Sequence, residues 1–128
     1  MRFSVLVFLF TFHFSIVQSF GEALEVKPLV DREGPVEKLF ENGQITISTA
    51  YPNPSTHFIF FDYKLSDGVQ EAKITISDIF GTTLSAHRLV PQSTHLKVSV
   101  GKIPSGVYFY TLTLEKKAVI TKKLIVRH

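Results

Sequence analysis

From residue 44 onward, apolar and polar side chains alternate in short runs, the period of two that sends successive residues to opposite faces of a strand. Ile45 and Ile47 alternate with Thr46 and Ser48, and Ile74 and Ile76 with Lys73, Thr75 and Ser77. Tyr108, Tyr110, Leu112 and Leu114 share one face of a longer run whose other face carries Phe109, Thr111 and Thr113. Residues 58–63 are mostly apolar on both sides, the expectation for a strand covered on two faces. Two weaker runs, 83–89 and 96–100, and a last one, 118–126, complete a set of about seven strands. Turn residues interrupt them roughly every eight to twelve positions, which predicts an all-β antiparallel β-sandwich.

The interruptions carry their own chemistry. Asp78-Ile79-Phe80-Gly81 puts Gly81 where a short hairpin needs a left-handed backbone. In Ile103-Pro104-Ser105-Gly106, Pro104 has the fixed φ that suits the second position of a turn. Glu115-Lys116-Lys117 is expected to turn the last hairpin with charge at its tip. Pro52 and Pro54, flanking Asn53, remove two ladder donors, so the first strand must stop there and the chain must leave its sheet.

Ahead of this region the pattern changes. Arg2 precedes an apolar run over residues 3–17, and fifteen helical residues reach only about 22 Å against a hydrocarbon core of about 30 Å. A cleaved secretory leader over residues 1–19 is the expectation, with the cut between Ser19 and Phe20. Residues 20–43 contain Pro28, Gly34, Pro35 and Gly43 and hold no sustained period. They are read as a polar linker, with a short strand at 25–30 and a small helix at 36–40 as its only candidate elements. Residues 44–128 form the folded domain.

Charge marks the same boundary. The linker has six acids against three bases, whereas residues 44–128 have ten bases against five acids. The formal excess of +3 gives no case for nucleic acid. With no cysteine, an exported chain uses neither disulfides nor thiolate metal sites, a pattern that suits a bacterial envelope protein. The serines stand in no nucleophile context, and His57, His87 and His95 show no ligand spacing. No enzyme, cofactor or metal is therefore expected. The aromatic residues leave one alternative, a stand-alone adhesion or carbohydrate-binding sandwich.

Four segments in order, Tyr51-Pro52-Asn53-Pro54, Ile76-Ser77-Asp78-Ile79-Phe80-Gly81, Ile103-Pro104-Ser105-Gly106-Val107-Tyr108 and Lys122-Lys123-Leu124-Ile125-Val126, resemble the type A C-terminal sorting domain of the bacterial type IX (Por) secretion system. The resemblance covers residues 44–128. It implies an Ig-like sandwich that acts as an address label: Sec export to the periplasm, recognition by the type IX translocon, and passage to the cell surface or outer membrane. It also implies a surface peptidase that removes the domain and joins cargo to lipopolysaccharide. Recognition would fall on Gly106, Tyr108 and the last strand, Lys122, Lys123, Leu124, Ile125 and Val126, whose free basic edge could extend a partner's sheet. The short linker leaves almost no cargo. Retention of the whole chain as a surface component or signal of the secretion system is the corresponding expectation.

Overall fold

A computed structural model describes residues 35–128, which form eight strands and no helix. In chain order they are β1 (Lys38–Glu41), β2 (Ile45–Ser48), β3 (Phe58–Leu65), β4 (Ala72–Ser77), β5 (Thr83–Arg88), β6 (His95–Ser99), β7 (Gly106–Leu114) and β8 (Lys117–Val126). Two antiparallel four-stranded sheets result, ordered β1-β2-β3-β6 and β5-β4-β7-β8. The all-β sandwich expected from the period of two is the observed architecture. The leader, its Ser19 and Phe20 junction, and the strand expected at 25–30 lie outside the described residues.

Alternation decides which side chains meet between the sheets. Ile45 and Ile47 of β2, Ile59 and Phe61 of β3 and Val98 of β6 face Ile74 and Ile76 of β4, Tyr110 and Leu112 of β7 and Leu124 of β8, all almost fully buried. Each large aliphatic or aromatic side chain so buried contributes about 1.5–3 kcal/mol relative to leaving it in water. Phe61 and Tyr110 meet edge to face across the two sheets, with ring centroids 5.3 Å apart. No buried side-chain polar atom among the described residues lacks a partner. Tyr110, for instance, accepts the amide of Ala50 at 3.2 Å through its hydroxyl. Burial of that phenol holds its pKa above the ordinary value, partly offset by the Ala50 bond.

Three local expectations are revised. Residues 38–41 form a strand rather than the small helix, because Leu39 buries against the core while Lys38 and Glu41 stay exposed. The Lys38–Glu41 ion pair holds the Glu41 carboxyl below its usual pKa through a hydrogen bond and charge. The sandwich thus gains an eighth strand from the segment read as linker. Second, no other layer covers the outer face of β3 among the described residues: Phe58 and Phe60 point outward and are only part-covered by neighbouring side chains. Lys97 sits 4.0 Å above the Phe58 ring, and Phe60 lies between Tyr51 and His95. Apolar residues on an outer sheet face need only flanking side chains, so a continuous apolar run does not require a third layer. The free basic edge is the third, and it bears on the site.

Candidate functional site

Strand β8 lies at one edge of its sheet, paired with β7 from Gly106↔Val126 to Leu114↔Lys117. An edge strand normally presents unpaired backbone groups. Over residues 123–127 these groups are taken. The Asn53 side chain donates to the Lys123 carbonyl at 3.0 Å and accepts from the Ile125 amide at 2.9 Å, so it fills the place of a neighbouring strand. The Ser55 amide donates to the Ile125 carbonyl at 2.9 Å, and the Arg127 amide donates to the Ser55 carbonyl at 2.8 Å. Among the described residues, the edge therefore remains open only from Lys122 back towards Lys117, contrary to a free edge along the whole terminal strand.

The prolines explain how the clamp is built. After β2 ends at Ser48, Tyr51 still bridges Phe60 of β3, and the Tyr51–Pro52 and Asn53–Pro54 peptide bonds are both cis. The chain then crosses from one sheet to the edge of the other, where Ser55 forms a parallel bridge to Val126. Departure from the sheet at Pro52 and Pro54 was legible in the sequence. Its destination was not, since nothing local pairs Asn53 with residues 70 and 72 positions away.

The residues expected to carry recognition divide by burial. Tyr108, Leu124 and Val126 face the core, and the Tyr108 hydroxyl donates to the Pro104 carbonyl at 2.6 Å, tying down the turn before β7. Gly106, Lys122 and Ile125 are half-buried and Lys123 is exposed. Lys122 pairs with Glu37 at 3.2 Å. A Cβ added at Gly106 would meet the Tyr108 ring at 3.7 Å, an ordinary van der Waals contact, so packing does not demand glycine there. Gly81, by contrast, adopts φ +82°, as its hairpin requires. Asp78 closes that loop: its carboxylate accepts the amides of Phe80 and Thr82, each at 2.9 Å.

The three histidines weighed as metal ligands go to separate places. His57 lies beside His128, His87 beside Ser85 on β5, and His95 against Asp62 at 2.7 Å. Asp62 also accepts the Tyr51 hydroxyl at 2.8 Å. Here Tyr51 of the segment after β2, Phe60 of β3 and His95 of β6 form a row across the outer face of the sheet, with centroid separations of 5.8 and 5.3 Å. Phe60 is flanked on both sides, so its ring stacks on its neighbours rather than lying open as a platform.

Among curated proteins, no relative matches the chain. A family match covers residues 49–127, a stretch that begins just after β2 and includes the clamp, the Asp78 hairpin, the turn before β7 and all of β8. The chain belongs to the secretion system C-terminal sorting domain family, the sorting module of type IX secretion.

Proposed function

We infer from family membership that the chain has a type IX secretion signal role: a non-enzymatic domain recognised by that machinery, with export to the cell surface or outer membrane. We propose that the module acts in three parts. Residues 1–19 direct Sec export and are cut between Ser19 and Phe20, residues 20–37 form a lead-in, and the sandwich from β1 onward carries the sorting message. The message is read from Gly106, from the outward side chains of Lys123 and Ile125, and from Lys122, which reaches Glu37 from the inner face of the strand at the sheet edge. Tyr108, Leu124 and Val126 hold that strand in place from inside.

The observation that carries this reading is the half-covered terminal strand. Its buried side chains fix its register, and the Asn53 clamp leaves Lys123 outside and, among the described residues, only the Lys117-side edge open. A partner with an acidic groove can meet such a strand through charge and main-chain bonds together.

The test uses the full chain with a reporter inserted between Gly21 and Glu22, expressed in bacteria with and without the type IX translocon. The reporter reaches the surface only where the translocon is present. Because Leu124 and Val126 are core residues, trimming the terminal strand would unfold the domain; Lys123→Glu and Gly106→Ala are the informative changes. Both keep the fold and lower surface reporter. Equal surface display in cells lacking the translocon would refute the reading.

A further inference from the structure

At the end of the sandwich that holds Gly106 and Val126 also lie the 78–82 loop and the 100–105 turn, because Ser77 pairs with Phe109 and Phe58 with Ser99. Phe80 on that loop is 87 % exposed and Ile79 62 %, the two most exposed large apolar side chains among the described residues. Leu84 and Val107, 43 % and 44 % exposed, belong to the same end. Single exposed apolar residues need no explanation, but four gathered at one end of a small domain do.

Two further observations say what covers them. The loop is rigidly held: Asp78 binds the amides of Phe80 and Thr82 with its side chain, accepts the Gly81 amide at 3.1 Å, and donates its own amide to the Thr82 carbonyl at 3.0 Å. A pre-ordered aromatic loses little freedom on entering a pocket, the property of an interface anchor. Local charge adds to this. The opposite end, where Ile45 meets Leu65 and Ala72 meets Leu114, mixes Glu41, Asp67, Glu71 and Glu115 with Lys64, Lys73, Arg88, Lys116 and Lys117. At the Phe80 end, Lys102 and Arg127 are exposed, and the only side-chain carboxylate among the described residues is Asp78, whose oxygen is already engaged by two amides.

We propose that this end docks Phe80 first, with Ile79 beside it, into an apolar pocket with an acidic rim on the protein that receives the module, a proposal that rests on the export reading above. Gly106 and Ile125 then flank the docked surface, while the opposite end, of mixed charge, points away. A lipid surface would accept the same two side chains without requiring the fixed loop, which favours a shaped pocket.

The same full-length reporter decides it. Ile79→Ser with Phe80→Ser, Lys102→Glu with Arg127→Glu, and Val119→Ser as an exposed apolar change at the other end are compared with the parent. Loss of an interface anchor is expected to lower surface reporter at least about fivefold in the first two variants, with the Val119→Ser variant unchanged and melting temperatures of all purified variants near the parent's. If the double serine variant melts early, Phe80→Gln alone takes its place. Parent and Phe80 variants displayed equally would overturn the docking surface and leave the export reading standing. A parent that is not displayed overturns both. Co-sedimentation of the purified protein with phosphatidylcholine–phosphatidylglycerol vesicles, abolished by Phe80→Gln, would overturn the protein pocket in favour of a lipid surface.

Discussion

Asn53 is expected to hold the terminal strand, and its replacement by alanine measures how much. Its side chain makes two hydrogen bonds to β8, to the Lys123 carbonyl at 3.0 Å and from the Ile125 amide at 2.9 Å. A typical hydrogen bond contributes about 0.5–1.5 kcal/mol net, and the side chain is exposed, so water can partly replace each one. Asn53→Ala should therefore cost about 1–2 kcal/mol, lowering the melting temperature of a domain of about 90 residues by roughly 5–10 °C. Urea unfolding gives the first quantity and amide exchange localises it: the Ile125 amide should lose protection while the amides of β4 keep theirs. Asn53→Asp sharpens the test. It retains an acceptor for the Ile125 amide but turns a carboxylate oxygen towards the Lys123 carbonyl, so Ile125 protection should survive while stability still falls. If Asn53→Ala unfolds at the parent's urea midpoint with Ile125 protection intact, the clamp contributes nothing and the edge of β8 is in effect open along its length.

Glu115 and Lys116 turn the β7–β8 hairpin with φ of 47° and 66°, a region that disfavours side chains. Lys116→Gly, which preserves the Glu115 carboxylate that accepts the Gln70 amide, should raise stability by about 0.5–1 kcal/mol in urea unfolding. His87 has its pKa lowered from 6.5 by burial, so the unfolded chain takes up its proton first as pH falls. Stability from this group is complete above pH 6.5 and is lost as pH drops below it; His87→Gln should flatten the melting profile over that range.

Period-two alternation alone determined that the chain builds an antiparallel sandwich, because one-sided burial rewards a two-residue repeat wherever the strand lies. Gly81 and the prolines at 52 and 54 were equally legible, since their effect on φ and on backbone donors is local. The strand at Lys38–Glu41 was missed because its signal is a single buried residue, Leu39, amid acidic and turn-forming neighbours. The four motif segments were sufficient to recognise the sorting family. They did not separate reading residues from holding residues: Gly106 and Tyr108 stand two apart in one motif, yet Tyr108 faces the core and Gly106 does not require glycine for packing. Tertiary structure alone decided that Asn53 covers the edge of β8 and that Ile79 and Phe80 share an end with Lys102 and Arg127. Those placements join segments distant along the chain, and no local periodicity encodes which strand edge a departing segment will meet once two sheets close on a common core.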